Sequence, residues 1–333
     1  MFGLVGLSSG TLHIDTLSAI YNLHNSTYYN YVGTLGYVNG ISSDFTNINI
    51  QLCLSQQQIS QYVGALSGVL VARIQNIQSL SIDNSHITSS YAVGLVAAIS
   101  STINVNIMFI SDSSINCSQN ILSKSTWAVS GGVIGQVLDQ NFQDSRQMHV
   151  KLLQSIIQSV NIYAYQNATW SLAAGLIGDS HNTPLYIQQT IVNNSDIQAH
   201  GPVTNVVAAS GLVSFLYMQN QILFSNIKVC NTNFTATSNT SESQSCSGLF
   251  SHVVFFNDSY TFTSSITVQL INTIITNIQL SVTGASTISG VILSNNKILQ
   301  FTANQVSTEG TNTINGVTML NCATIVNQSQ NGC

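Results

Sequence analysis

Apolar and polar residues alternate with a period of two in several short stretches of the chain. In one of them Ile48, Ile50, Leu52 and Leu54 alternate with Asn, Gln and Cys. The same pattern recurs at Ile103, Val105, Ile107 and Phe109, at Ile266, Val268 and Leu270, and at Ile278, Leu280 and Val282. Such alternation in runs rich in β-branched residues predicts strands that bury one face. The spacing of an amphipathic helix is not sustained in the sequence, so we expect an all-β fold.

A second pattern is a short phrase in which a glycine precedes one or two aliphatic residues. Ten copies begin at Gly3, Gly33, Gly64, Gly94, Gly132, Gly175, Gly211, Gly248, Gly290 and Gly316, spaced 26 to 43 residues apart. Strands that recur with such a period predict a parallel β-solenoid (β-helix) of about ten coils of 26-43 residues. We expect one continuous domain over residues 1-333, with longer loop insertions between coils from about residue 110 onward.

The composition changes this picture in one respect, because charged residues make up only 5% of the chain. About a quarter of the residues are Ser or Thr instead, and there are two Glu. In stacked coils equivalent outward positions lie about 4.8 Å apart, so like charges would repel along a column, whereas amides and hydroxyls hydrogen-bond along it. A glycine is expected at a corner or where backbones approach closely.

The same numbers exclude several classes of protein. Six Lys and Arg in 333 residues cannot form the basic surface of a nucleic-acid-binding protein. No stretch has 18 consecutive apolar residues, so we expect no membrane span in this chain. Met1–Gly6 lacks the basic region of a signal peptide and resembles the later glycine phrases. We therefore expect the chain to be a piece of a longer precursor.

Three copies of the phrase have both glycines around two aliphatic residues: Gly3–Gly6, Gly132–Gly135 and Gly175–Gly178. The phrase and its period resemble the GLUG-type repeats of surface and adhesin-like β-solenoid proteins. The charge-poor, Asn/Ser/Thr/Ile-rich composition is similar to that of large repeat proteins of anaerobic flagellate protists. The resemblance implies a solenoid at the cell surface or outside the cell, and it implies no catalytic residue.

The six cysteines allow disulfides, and no Cys-x-x-Cys spacing suggests a metal or redox site. Cys230 and Cys246 flank a polar stretch that reads as a loop, so we predict a bridge between them, and Cys322 and Cys333 are a second candidate pair. For Cys53 and Cys117 a free buried thiol is the alternative. Eight sequons make Asn25, Asn116, Asn167, Asn193, Asn233, Asn239, Asn257 and Asn327 candidates for N-glycosylation.

Candidate active-site residues are few. The densest group of charges in the sequence consists of Asp139, Asp144, Arg146, His149 and Lys151. The alternative interpretation of this group is a solvated loop that tolerates charge. Asp179 and His181, shortly before Pro184, read as a turn. Five tyrosines, Tyr21, Tyr28, Tyr29, Tyr31 and Tyr37, suggest either stacking on sugars or packing in ladders. We predict no enzyme, no cofactor and no metal site.

These observations lead to three hypotheses. The first is an extracellular or cell-surface structural protein, a glycosylated solenoid subunit that stacks end to end, because no capping helix is recognisable at either end. The alternative is a glycan-binding surface adhesin domain. The last is a β-helix polysaccharide lyase or hydrolase.

Overall fold

The fold is seen in a computed structural model of the chain. It describes residues 5–23, 31–54, 62–83, 86–89, 92–99, 102–118, 127–137, 149–165, 170–181, 183–201, 206–217, 221–238, 243–254, 267–283, 286–290 and 300–318. All regular secondary structure in these ranges is β-strand. The all-β prediction is confirmed.

Thirty strands are described. The first part of the chain contains β1 (Val5–Leu23), β2 (Tyr31–Val32), β3 (Leu35–Leu54), β4 (Tyr62–Asp83), β5 (His86–Ser89), β6 (Ala92–Ile99), β7 (Thr102–Val105), β8 (Met108–Ser111), β9 (Ser114–Ser118), β10 (Trp127–Gly131) and β11 (Ile134–Val137). The middle part contains β12 (Val150–Leu153), β13 (Ser155–Gln158), β14 (Asn161–Tyr165), β15 (Trp170–Ala174), β16 (Ile177–His181), β17 (Leu185–Asn193), β18 (Asp196–Gly201), β19 (Val206–Ser210), β20 (Val213–Tyr217), β21 (Gln221–Cys230), β22 (Asn233–Ser238), β23 (Ser243–Ser247) and β24 (Phe250–Val254). The last part contains β25 (Thr267–Thr276), β26 (Gln279–Thr283), β27 (Ser286–Gly290), β28 (Gln300–Glu309), β29 (Thr313–Ile314) and β30 (Val317–Thr318).

One coil of the solenoid consists of five short strand segments, which we call a to e. In the coil over residues 150–181 they are β12, β13, β14, β15 and β16, in that order. In the next coil β17 supplies both a and b, and β18, β19 and β20 supply c, d and e. Equivalent segments of successive coils stack into columns that bear the same letters.

The columns are in-register parallel sheets. Along columns a and b the order is β1, β3, β4, β7 with β8, β12 with β13, β17, β21, β25 and β28. In the described residues the pairing of β29 with β30 is antiparallel, and every other pairing is parallel. The prediction of a parallel β-solenoid is confirmed. The coil count and the single-domain boundaries stay predictions, and the largest expected insertions, such as 138–148 and 255–266, lie outside the described residues.

The inward residues of all columns form one continuous apolar core. Ile48, Val268 and Leu280 belong to it with 2% exposure or less, as their alternation predicts. The prediction for Ile107 and Phe109 is wrong, because their side chains are 45% and 39% exposed. A bend between β7 and β8 shifts the alternation by one residue, so the next strand buries its even-numbered positions, as at Met108 and Ile110.

Two corners of the coil are made by residues with left-handed backbone conformation. At the corner between segments a and b, Gln189, Asn226 and Asn272 have φ near +50°. Ser159, Asn194, Asn231 and Asn277 do the same between segments b and c. Asn is among the few residues other than glycine that adopt this conformation readily. The corner amides also bond along the axis, since Asn272 Nδ2 donates to Asn226 Oδ1 at 2.6 Å. The predicted hydrogen-bonded columns are therefore present at the corners.

Asn231 allows the two roles of a corner amide to be separated. Its Nδ2 donates to Asn193 Oδ1, and its Oδ1 accepts from Asn277 Nδ2. We expect Asn231→Gly to lose about 1 kcal/mol, because it removes the ladder bonds and keeps the backbone conformation. Asn231→Val should lose roughly 1–2 kcal/mol more, because a β-branched residue disfavours φ > 0. Urea denaturation measures both, and equal stability of the two variants would contradict the conformational argument.

The glycine phrase marks a third corner, between segments d and e. Gly132, Gly175, Gly211 and Gly248 lie in the bends that follow β10, β15, β19 and β23. Each stacks on the next, and a Cβ on Gly175 would overlap the backbone carbonyl oxygen of Gly211. Both predicted reasons for the glycine, a corner and a close backbone approach, are confirmed at these positions.

The remaining phrase glycines differ in position. Gly33 lies in the bend after β2, and Gly64 and Gly94 lie within β4 and β6. Gly290 is the last residue of β27 and pairs with Ser247 rather than with Gly248, so this copy is one residue out of register. Gly316 lies in the turn between β29 and β30 with φ +78°. Gly3 lies outside the described residues.

Candidate functional site: the concave corner between segments d and e

The corner between segments d and e is concave as seen from outside the solenoid. The outward-facing side chains of the two segments therefore pack against each other. Ala173 and Ala209, on one face of column d, belong to the main core. The alternate residues Leu172 and Ala208 belong to a second apolar cluster, together with Phe215 of column e. Column d is therefore buried on both faces, which the single-face alternation rule does not anticipate.

Aromatic rings line the open side of this second cluster. Trp127 and Trp170 occupy adjacent levels of column d and stack in parallel, with centroids 4.7 Å apart and an interplanar angle of 3°. Phe215 contacts Trp170 edge to face at 4.4 Å. Phe215 is fully buried, whereas both tryptophans are partly exposed. The corner thus presents an aromatic strip at the surface of the solenoid.

A carboxylate is buried beside these rings. Asp179 lies on β16 with no exposed surface, and its Oδ2 accepts from Gln136 Nε2 and His181 Nε2, each at 2.9 Å. The prediction that Asp179 and His181 form a turn is wrong, because both are strand residues on the same face. A polar residue is tolerated on this buried strand face because Gln136, opposite Asp179 on the adjacent coil, supplies its hydrogen-bond partner. The sequence around Asp179 does not reveal this partner.

The polar group formed by Asp179, Gln136 and His181 has two further oxygen atoms that could accept hydrogen bonds. Asp179 Oδ1 and Gln136 Oε1 are buried and have no hydrogen-bond partner in the structure. The imidazole of His181 is 22% exposed and links the carboxylate to the surface. It also lies 6.0 Å from the ring centroid of Trp127. The arrangement suits hydrogen bonding at a partly exposed imidazole beside aromatic rings.

The other group of charges is not brought together within the described residues. Asp139, Asp144 and Arg146 lie outside them. His149 is half-buried and packs edge on against Tyr186, with centroids 6.1 Å apart. Lys151 is exposed on β12. In the described part of the chain, no group of three or more His, Cys, Asp or Glu side chains is placed to hold a metal ion.

Sequence reasoning missed a polar row on the outer face of column c. Along β18, Gln198 Nε2 donates to Asp196 Oδ2 at 2.5 Å, and His200 Nε2 lies 3.1 Å from Gln198 Oε1. Tyr163 packs beside His200, with centroids 5.3 Å apart. Partial burial lowers the pKa of His200, and the nearby Asp196 carboxylate opposes this effect. Burial raises the pKa of Tyr163, and the electrostatic effect of the nearby Tyr165 adds a smaller increase. The sequence signal for this row is the spacing i, i+2, i+4 of Asp196, Gln198 and His200.

The lowered pKa of His200 predicts a loss of stability in acid. The ordinary pKa of a histidine is 6.5, and the pKa of His200 in the folded protein is lower. As the pH falls toward and below 6.5, the unfolded chain therefore binds this proton more readily than the folded protein, and the free energy of unfolding decreases. We expect His200→Gln to flatten that dependence between about pH 7.5 and pH 5. Urea denaturation of both proteins across this range measures the difference. Parallel curves for the two proteins would contradict the assignment.

The cysteine predictions are partly wrong. Cys230 is a free buried thiol whose Sγ donates to Asn193 Oδ1 at 3.2 Å, so the predicted bridge to Cys246 is not formed. The stretch between the two cysteines is not a loop either, because it contains β22 and begins β23. Burial raises the pKa of the Cys230 thiol, against a smaller opposite effect of Lys228. The thiol of Cys117 is buried and forms no disulfide, as its alternative interpretation states. Cys53 lies in β3, and Cys322 and Cys333 lie outside the described residues.

Three candidate glycosylation sites are described. Asn193 is half-buried and accepts bonds from Cys230 and Asn231. Asn116 is also half-buried, and its Oδ1 is enclosed without a partner. Asn233 is exposed at the start of β22, which makes it the most accessible of the three. The other sequon residues lie outside the described residues: Asn25, Asn167, Asn239, Asn257 and Asn327.

The side chains of the five tyrosines near the start of the chain are not among those that the structure describes. Tyr21, Tyr31 and Tyr37 lie in β1, β2 and β3, while Tyr28 and Tyr29 lie outside the described residues. Described aromatic side chains that are partly or largely exposed include those of Trp127 and Trp170 at the concave corner, Tyr163 on column c, and Phe109, Tyr165 and Tyr186.

No family model matches this chain, and no match was found among curated proteins or solved structures. Within the described ranges, no helix has the length and apolar character needed to cross a bilayer.

Proposed function

We propose that this chain is an extracellular structural protein, a glycosylated β-solenoid subunit that stacks end to end into a filament or surface fibre. One observation carries the proposal: the apolar core is incompletely covered at the β1 end. Leu17 of β1 is half-buried, whereas Ile48, which pairs with it one level in, is 2% exposed. Leu12 and Ile14 are partly buried in the same way.

The backbone of β1 supports the same proposal. β1 has 19 residues and, in the described part of the chain, pairs with β3 along one edge. A long strand with an unpaired edge readily accepts another strand. Lys and charged residues would normally discourage this pairing, but β1 contains one carboxylate, Asp15, and no Lys or Arg.

A charge at the exposed end of the core tests the proposal. We expect Leu17→Lys to abolish filaments, because stacking would bury the ammonium group, and to leave the subunit folded, because at a free end the Lys can extend to water. Ser18→Lys is the matched control, since Ser18 is an exposed outward residue on the same strand. Electron microscopy and circular dichroism give the two readouts. Filaments that persist in Leu17→Lys would contradict the proposal.

A glycan-binding adhesin is the second candidate, and the concave corner favours it. Trp127, Trp170 and His181 offer partly exposed rings beside hydrogen-bonding groups, a combination that suits the apolar face and hydroxyls of a sugar. Saturable binding on a glycan array that is lost in Trp127→Ala would support it. Unchanged binding in that variant, or no binding by the natural chain, would remove this candidate.

We propose no catalytic function. Polysaccharide cleavage requires an accessible acid or base near the substrate, and Asp179 is fully buried with Oδ2 bonded to Gln136 and His181. Turnover of a polysaccharide that is lost in Asp179→Asn or Asp144→Asn, with the fold retained, would overturn this statement.

A further inference from the structure

We infer that Asn233 is the glycosylated residue among the three sequons that the structure describes. This inference rests on the extracellular location in the proposed function, and it names the site of the glycan which that proposal includes. The other two described candidates are Asn116 and Asn193. The three residues differ in the exposure and the hydrogen bonding of their side chains, and these differences single out Asn233.

Asn233 begins β22 on the outer face of column c. It is exposed, whereas Phe234, the middle residue of its sequon, is fully buried in the core. Because strand residues alternate between the two faces, Thr235, the third residue of the sequon, lies on the same outer face as Asn233. The residues paired with Asn233 on the adjacent coils are Asp196 and Gln279, both polar. A bulky sugar attached here extends into solvent and displaces no core residue.

The amide of Asn233 is available for attachment, unlike the corner amide that precedes it. Asn231 donates to Asn193 and accepts from Asn277. Asn233 uses its backbone N–H to bond the carbonyl oxygen of Ser195. Within the described ranges its side chain takes part in no hydrogen bond. Substitution at Nδ2 of Asn233 therefore breaks no rung of the axial ladder.

The sequon at Asn193 is part of that ladder. Asn193 is half-buried, and its Oδ1 accepts from Cys230 Sγ at 3.2 Å and from Asn231 Nδ2 at 3.1 Å. The third residue of the sequon, Ser195, is 4% exposed and donates to the carbonyl oxygen of Asn193. A sugar on Asn193 would crowd the bonds that join this corner to the next coil.

The sequon at Asn116 is also confined. Asn116 is half-buried, and its Oδ1 is enclosed. Tyr163 lies in register with it on the next coil and packs against His200, with centroids 5.3 Å apart. A sugar on Asn116 would compete with the ring of Tyr163 for space. Asn233 has the small side chain of Asp196 and the exposed side chain of Gln279 in the corresponding places.

The covalent step is the transfer of an oligosaccharide from a lipid pyrophosphate carrier. Nδ2 of Asn233 forms a bond to the anomeric carbon of the sugar, and the bond between that carbon and the pyrophosphate oxygen breaks. Nδ2 loses one proton, the lipid pyrophosphate leaves, and nothing is oxidised or reduced. Because Phe234 holds the folded sequon in β22, we expect transfer before this strand packs against its neighbours. The modified chain still folds, since the sugar lies on the outer face.

Peptide mapping of the full chain secreted from eukaryotic cells tests the inference. Enzymatic release of N-glycans converts each occupied Asn into Asp, and mass spectrometry of the peptides locates the change. We expect conversion at Asn233 and unmodified amides at Asn116 and Asn193. Thr235→Ala, which destroys the sequon, should abolish the conversion at Asn233. Thr235→Ser, which keeps the sequon, is the matched control, and circular dichroism should show the same fold for both variants.

The outcomes separate this inference from the proposed function. An unmodified Asn233 in a chain that has glycans at other sequons, or a glycan on Asn116 or Asn193, overturns the inference and leaves the extracellular location intact. Protein from the native source without any N-glycan overturns both the inference and the glycosylated state in the proposed function. Electron microscopy of the same preparation tests stacking: single subunits glycosylated at Asn233 would support the inference and contradict the filament.

Discussion

Replacing Gly175 by alanine is expected to destabilise the protein by about 4 kcal/mol or more, a loss seen only for the most damaging point mutations. Gly175 stacks directly on Gly211, and an added Cβ would overlap the Gly211 carbonyl oxygen and press on a Val192 methyl group. The backbone carbonyl cannot move aside without separating two coils. We expect expression of soluble protein to fall sharply and the remaining protein to unfold at lower urea concentration.

Gly316→Ala is the matched control for this prediction. Gly316 has φ +78°, and nothing lies within 4 Å of where its Cβ would be. The substitution should therefore cost only the conformational term of about 1–2 kcal/mol. If Gly175→Ala were no more destabilising than Gly316→Ala, the close stacking of the corner glycines would be contradicted.

Phe224→Ala is expected to cost about 3–5 kcal/mol, the usual range for removing a buried phenylalanine. Phe224 is fully buried in the main core, in a column with Ile187 and Leu270 on the adjacent levels. Those neighbours belong to other coils whose backbones are held by continuous ladders, so they cannot collapse into the cavity.

Leu223→Ala provides the comparison on the same strand. Leu223 is half-buried on the outer face of β21, so its truncation should cost about 1 kcal/mol. Urea denaturation of the two variants measures which face of the strand is inside. A larger loss for Leu223→Ala would reverse the assignment of inner and outer faces.

The repetitive part of the fold was predictable from the sequence. Alternation such as that at Ile48 and Ile50 specifies a strand with one buried face, and the recurring glycine phrase specifies a corner at Gly175 and Gly211. Both signals lie within a few residues along the chain. The exposed Ile107 and Phe109 show the limit of this reasoning, because the bend between β7 and β8 shifts the alternation and leaves little trace in the composition.

The candidate site was harder to predict, because its contacts are between coils. Asp179 read as part of a turn, and only its neighbours on other levels, Gln136 and Phe215, show that it belongs to a buried strand face. The stretch after Cys230 read as a loop for a related reason. In a solenoid the outward residues of a strand are Ser, Thr and Asn, so β22 has the composition of a loop while Phe234 and Ala236 fill the core.

The most direct test of end-to-end stacking is electron microscopy of the protein isolated from its native source without denaturation. About ten coils at the strand spacing of about 4.8 Å predict filaments with an axial repeat near 50 Å. Observation of such filaments is the expected result. Isolated short rods, at protein concentrations where open strand edges would associate, would contradict end-to-end stacking and favour the adhesin.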